Sequence, residues 1–137
     1  MNKLLIYPKE IDMLFIDGIE FIDNTFIEIE IDGKTYLSKR AFEDGVVYWS
    51  ELMASSKISG RFLIFTCACG VADDAGWDLI NVNHSSTEVI WEFERNGKQK
   101  YRFEKSNYIA QIELCETQLN LADFPLAIEY ADFPECE

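Results

Sequence analysis

Two cysteines separated by one residue are the first group in the sequence with the means to do chemistry. Cys67 and Cys69 resemble half of a metal site, but a structural zinc needs four ligands, usually from two close pairs. The remaining candidates, Cys115, Cys136 and His84, form no second pair. The spacing also differs from the Cys-x-x-Cys redox motif. We predict ordinary buried thiols and no metal or other cofactor; a small metal-binding protein using Cys67 and Cys69 is the third hypothesis.

The only histidine, His84, lies among Asn83, Ser85 and Ser86, which are typical turn residues. A catalytic histidine needs a nucleophile or a substrate proton, together with a carboxylate that orients its ring. The sequence pairs His84 with none of these groups. We therefore predict an exposed histidine in a turn.

Three aspartates that follow the cysteine pair, Asp73, Asp74 and Asp78, have the chemistry to hold a cation or to act as an acid and base. Their spacing is not that of an EF-hand, and neither glycine-rich phosphate-binding motif occurs in the chain. The sequence predicts a solvated acidic loop. We assign no catalytic residue and expect a protein that is not an enzyme.

The charge of the chain restricts its partners. Twelve Lys and Arg against 25 Asp and Glu leave a net charge of −13. Such a surface repels the phosphates of nucleic acids, so we expect no nucleic-acid partner. It also favours solubility and accelerates encounter with basic proteins. Two hypotheses follow: a structural or regulatory interaction protein whose acidity serves solubility, and a protein whose acidity is directed at a basic partner.

The apolar segments of the chain are short. None approaches the roughly 20 residues that span a bilayer, so no membrane partner is expected. The first eight residues lack the long apolar region and cleavage site of a signal peptide. We expect a cytoplasmic protein with reduced thiols. With 137 residues, 48% of them hydrophobic, the chain is predicted to form a single domain, 1–137.

Alternating apolar residues predict mainly β structure for the elements that position these groups. Residues 4–7 are predicted to form a short strand that ends at Pro8. Residues 26–31 are predicted to form a strand, because residues 27–31 alternate between isoleucine and glutamate, and Asp32 and Gly33 then form a hairpin turn.

The register of the hairpin that ends at Phe103 follows from its apolar face. A two-residue loop would place a charged side chain opposite Trp91. A three-residue loop, with Gly97 in a left-handed bulge, places Tyr101 opposite Trp91 and Phe103 opposite Val89. Because a slip of one residue moves every side chain to the other face, the pattern predicts the bulged hairpin.

Two helices are predicted from apolar residues that recur every three or four positions. The first spans residues 41–55, although Gly45 weakens its first turn. The second begins after Lys105, with Ser106 as its N-cap. Its apolar stripe consists of Tyr108, Ile109, Ile112, Cys115 and Leu119. The predicted fold class is α+β, with a mainly antiparallel sheet of about six strands and two helices packed on it.

The C-terminal part of the chain is the most acidic. Residues 106–137 contain seven acids and no Lys or Arg, and residues 122–125 recur as residues 131–134. One interpretation is a chance repeat in a tail that docks its two phenylalanines. The other is an acidic, aromatic arm, residues 120–137, that meets a partner.

Residues 62–108 resemble a recurrent type of small, mostly uncharacterised bacterial protein. The shared features are the Cys-x-Cys-Gly segment at residues 67–70, the Val-x-Trp-x-Phe strand at residues 89–93, and a helix that carries Tyr108 and Ile112. Proteins of this kind resemble immunity proteins of bacterial toxin systems, including contact-dependent inhibition. The resemblance implies a toxin inhibitor without catalytic residues.

We therefore predict an acidic binding protein that neutralises a basic bacterial toxin, a nuclease, by occluding it. Carboxylates would pair with the Lys and Arg that a nuclease uses for phosphate, and aromatic side chains would anchor the interface. The candidate partner-binding residues are Asp73, Asp74, Trp77, Asp78, Asp123, Phe124, Glu129 and Asp132.

Overall fold

The computed structural model describes residues 1–16, 19–35, 45–67, 79–94 and 100–127. These residues form two α-helices and antiparallel strands. The predicted α+β class, with two helices and mainly antiparallel strands, is confirmed.

Eleven elements occur in the described residues. In chain order they are β1 Leu4–Ile16, β2 Ile19–Ile31, β3 Lys34–Thr35, β4 Gly45–Val47, α1 Trp49–Ser55, β5 Gly60–Phe62, β6 Phe65–Cys67, β7 Ile80–His84, β8 Glu88–Phe93, β9 Lys100–Glu104 and α2 Lys105–Asn120. The strands pair in the orders β1-β2-β3, β4-β6 and β5-β7-β8-β9. The described strands therefore form three sheets instead of the one that the sequence predicts, and β1 and β2 make up a long two-stranded ribbon to which β3 adds two residues. Helix α2 packs against both this ribbon and the four-stranded sheet.

The β1–β2 ribbon is longer than predicted, since each strand has 13 residues and β1 continues through Pro8. Strand β1 is an edge strand, and the N–H of Ile6 points away from β2 to the side-chain oxygen of Gln111 in α2. Pro8, two residues further on, lacks its N–H on that same outer side. Proline is tolerated there because no ladder hydrogen bond is lost.

Helix α2 covers the edge of β1 with two side-chain amides. Asn107 donates to the carbonyl oxygen of Leu4 at 3.3 Å, and Gln111, one turn later, accepts from the N–H of Ile6 at 3.1 Å. Unpaired backbone groups on an edge strand invite pairing with another chain. The two amides satisfy such groups and fix α2 along the ribbon.

The register of the β8–β9 hairpin is the one that the apolar pattern predicts. Trp91 lies opposite Tyr101, and Val89 lies opposite Phe103. The loop with the predicted bulge at Gly97 lies outside the described residues. The two-residue turn predicted after β2 is confirmed: Asp32 and Gly33 have φ angles of 55° and 80°, as a two-residue hairpin loop requires.

The first helix is shorter than predicted. Helix α1 begins at Trp49, and residues 45–47 form strand β4, which pairs with β6. Val46 and Val47 are both buried in this strand. β-branched side chains favour a pleated surface over a helix, and here tertiary pairing outweighs the helical spacing of the apolar residues.

The second helix begins where the sequence predicts, but with a different cap. Glu104 occupies the N-cap position with an extended backbone and makes no capping hydrogen bond. Ser106 lies inside the first turn, and its hydroxyl donates to the Glu104 carboxylate at 2.8 Å. The predicted Ser106 cap is therefore wrong. The predicted stripe is confirmed, because Tyr108, Ile112 and Cys115 are buried.

Trp91 lies at the centre of the aromatic core. Its ring makes edge-to-face contacts with Phe65, Phe103 and Tyr108, with centroids 6.0, 5.1 and 6.1 Å away. Such arrangements place the positive edge of one ring against the negative face of another. The contacts join β6, β8, β9 and α2.

A chain of hydrogen bonds runs through this core. The indole N–H of Trp91 donates to the Tyr108 oxygen at 3.1 Å, and that hydroxyl lies 2.6 Å from the Ser55 hydroxyl. Ser55 donates to the carbonyl oxygen of Leu52. Because indole is only a donor and Ser55 uses its proton on Leu52, Tyr108 donates to Ser55. Burial raises the pKa of Tyr108 to about 12, so the phenol stays protonated.

Replacing Tyr108 with phenylalanine is expected to lower the free energy of unfolding by roughly 1–3 kcal/mol, because the Trp91 N–H becomes a buried donor without this acceptor. The matched comparison is Tyr7→Phe, which removes a partly exposed hydroxyl bonded to Glu30 and should cost less, because water can replace the lost donor at the carboxylate. Urea unfolding measures both values. Equal losses in the two variants would contradict a special role for the buried chain.

Candidate partner-binding surface

Two of the predicted binding residues, Asp123 and Phe124, lie in the described part of the chain, in the segment that follows α2. Asp123 is exposed, and Phe124 is half-buried. The other predicted residues lie outside the described part of the chain: Asp73, Asp74, Trp77, Asp78, Glu129 and Asp132. The site is therefore built from Asp123 and Phe124 and from what surrounds them.

A groove of about 690 Å³ lies between α1 and the end of α2, and we call it the α1–α2 groove. Asp123 and Phe124 both line it, together with the exposed carboxylate of Glu116. Ser50 and Asn120 add polar groups. The apolar lining consists of Trp49, Met53, Leu119, Ala122, Phe124, Pro125 and Leu126. The groove thus combines apolar walls with two carboxylates.

The far wall of the groove is held in place by Thr25 of β2, which is fully buried. The Thr25 N–H donates to the carbonyl of Pro125 at 2.8 Å, and its hydroxyl donates to the carbonyl of Phe124 at 2.7 Å. In return the N–H of Ala127 donates to the Thr25 carbonyl at 2.9 Å. Residues 124–127 therefore lie against β2 as a short parallel partner, with Leu126 opposite Thr25.

A third carboxylate lies beside the groove. The backbone N–H of Asp123 donates to a side-chain oxygen of Glu10 at 2.7 Å. This bond fixes the backbone from which the Asp123 carboxylate projects. Glu10 also lines a second, shallow depression, with Tyr7, Gln118 and Leu121. A carboxylate of the ribbon therefore contacts the segment that carries Asp123.

Glu116, Glu10 and Thr25 are absent from the binding residues predicted from the sequence. The sequence does contain a pattern that points to Glu116, because this residue lies one turn before Asn120 in the part of the chain that lacks Lys and Arg. Glu10 and Thr25 had none, because they reach the groove across 113 and 99 residues of sequence. Contacts between residues so far apart in the sequence produce no local pattern of residue types from which they could be predicted.

Two arginines of the four-stranded sheet form ion pairs with glutamates at the two ends of β8. Arg61 forms an ion pair with Glu94, and Arg102 forms one with Glu88 at 2.7 Å. The arginine in each pair lowers the pKa of its glutamate through hydrogen bonding. The described lining of the α1–α2 groove, in contrast, contains no Lys or Arg.

The thiols and His84 form no second site in the residues that the structure describes. Within those ranges no three His, Cys, Asp or Glu residues are arranged to hold a metal. Cys115 is a buried free thiol, while Cys69 and Cys136 lie outside the described residues. The prediction of an exposed turn position for His84 is wrong: the half-buried ring lies with Nε2 2.7 Å from the carbonyl oxygen of Ser55, which links the end of β7 to α1.

Comparison with known proteins provides no assignment, since no protein-family model, curated protein or solved structure matches the chain. None of the helices in the described residues is long and apolar enough to cross a membrane. The function has to be inferred from the chemistry of the surface.

Replacing Thr25 with valine should loosen the wall of the groove while preserving its shape. The variant loses the hydrogen bond to the Phe124 carbonyl and should lower the free energy of unfolding by about 1 kcal/mol. Hydrogen exchange at the Ala127 amide should also become faster. The control Thr117→Val removes an exposed hydroxyl bonded within α2 and should change stability by less than about 0.5 kcal/mol. Unchanged exchange at Ala127 in Thr25→Val would contradict the holding role.

The Cys115 thiol is expected to resist alkylation in the folded protein. Burial raises its pKa to about 12, so very little reactive thiolate exists at pH 8. Treatment with iodoacetamide followed by peptide mapping should find the Cys115 peptide unmodified, and modified once denaturant is present. Labelling at the rate of the unfolded chain would contradict the burial.

Proposed function

We propose that the protein is an acidic binding protein that neutralises a basic bacterial toxin, a nuclease, by covering its basic surface. The observation that carries this proposal is the α1–α2 groove. It joins apolar walls to the exposed carboxylates of Glu116 and Asp123, without a Lys or Arg in its described lining. The chain as a whole has a net charge of −13.

The composition of the groove suits a protein partner. Interfaces are held by a buried centre with aromatic and apolar anchors, surrounded by a polar rim. Met53, Leu119 and Phe124 are half-buried apolar side chains of the groove, and the carboxylates beside them are exposed. The acids would steer a basic partner to the surface, and the apolar walls would slow its departure.

A nuclease is a fitting target because it must carry Lys and Arg to hold phosphates. An acidic protein that pairs with those side chains competes with the nucleic acid for the same groups. Occlusion needs no catalytic residue.

The test is capture from lysate of the native host on the immobilised protein, at low and then high salt, with bound proteins identified by mass spectrometry. We expect one basic protein that elutes with salt, and we expect its nuclease activity to fall when the wild-type protein is added. The double variant Glu116→Lys, Asp123→Lys should bind it at least about tenfold more weakly, because attraction becomes repulsion.

The matched control is Glu20→Lys, Glu113→Lys, which makes the same change of charge at two exposed positions outside the groove lining. It should retain inhibition to within a few-fold. Equal losses in both double variants would show that net charge, rather than the groove, decides binding. Capture of no basic protein at low salt would refute the proposal in favour of acidity that serves solubility.

A further inference from the structure

We propose that the α1–α2 groove is built for one arginine side chain of the basic partner, with its aliphatic stem between the helices and its guanidinium at the carboxylates. The inference rests on the proposed function and names the chemical group that the groove recognises. It distinguishes a shaped pocket for one side chain from a diffuse acidic surface.

The walls of the groove suit a long aliphatic stem. Trp49 of α1 and Leu119 of α2 both line the groove, and Trp49 is only 5% exposed, so its ring is held in place by the core. Met53 adds a flexible thioether, which adapts to irregular partners. An exposed carboxylate pair without such walls would bind any cation. Apolar walls increase the affinity for a ligand whose methylene groups they can bury.

The polar groups of the groove suit a guanidinium. Glu116 and Asp123 supply carboxylate acceptors from α2 and from the segment that follows it. Asn120 adds a side-chain amide oxygen between them in the sequence. Arginine presents five donors in a planar fork, so it can use several acceptors at once, and its plane stacks on aromatic rings such as Phe124. Lysine presents a compact ammonium and gains less from such a set.

The segment that carries Asp123 and Phe124 is held in place in the unbound protein. Thr25 holds the carbonyls of Phe124 and Pro125, and Glu10 holds the backbone N–H of Asp123. A wall ordered in advance lowers the entropy lost on binding. The volume of about 690 Å³ also lies within the range of protein pockets for small ligands, with room for backbone on either side of the side chain.

The experiment follows backbone amide signals of the ¹⁵N-labelled full chain by NMR during titration with capped tripeptides, Gly-Xaa-Gly, at fixed ionic strength. Xaa is arginine, lysine, norleucine or citrulline, the neutral near-isostere of arginine. We expect saturable shifts confined to the groove for the arginine peptide, with a Kd on the order of 1–10 mM. The citrulline and norleucine peptides should bind at least about tenfold more weakly, and the lysine peptide should lie in between.

Two double variants complete the test. Glu116→Gln, Asp123→Asn keeps the shape of the groove and should weaken the arginine peptide at least about fivefold. Glu113→Gln, Glu20→Gln removes the same charge elsewhere and should leave its Kd unchanged. Shifts that spread over the whole surface without saturation would overturn the proposal, as would citrulline binding equal to that of arginine. Lysine binding equal to or tighter than arginine would overturn the choice of arginine.

The result separates this inference from the function on which it rests. If a basic nuclease is captured and inhibited but the arginine peptide does not saturate the groove, the arginine pocket is wrong and the inhibitor function stands. If the peptide saturates the groove but no basic protein is captured or inhibited, the pocket stands and the toxin-neutralising function is wrong.

Discussion

The position of α2 depends on one buried phenol. Tyr108 accepts a hydrogen bond from Trp91 of the four-stranded sheet and donates one to Ser55 at the end of α1. It thereby fixes both helices against the same sheet, at a point where an unsatisfied polar group would be costly. The α1–α2 groove lies between those two helices, so this contact in the core is one of the supports of its shape.

The other support of the groove comes from the ribbon. Asn107 and Gln111 fix the first half of α2 along the edge of β1, and Thr25 holds the segment beyond its end. A helix tied to the ribbon at both ends presents its acidic and apolar side chains on a rigid base. Rigid support is what allows a binding surface to select for shape as well as for charge.

Local patterns in the sequence predict much of this fold and little of the site. The β8–β9 register and the buried stripe of α2 follow from alternation and helical spacing, which short segments fully contain. The predictions for Pro8 and Val46 are wrong, because the open edge of β1 and the pairing of β4 with β6 depend on distant residues. Asp123 and Phe124 stood out through the absence of basic residues around them, whereas Thr25 gave no signal at all.

The parallel contact between Thr25 and residues 124–127 also bears on how the protein folds. It closes a loop of about a hundred residues, and contacts of such separation form slowly because the entropy of closure must be met first. The contact between Ile6 and Gln111 spans a similar separation, so docking of α2 on β1 shortens the loop that the groove wall has to close. The groove therefore requires α2 to be docked on the ribbon, and a chain without that docking would expose its acids to a partner without the walls that retain it.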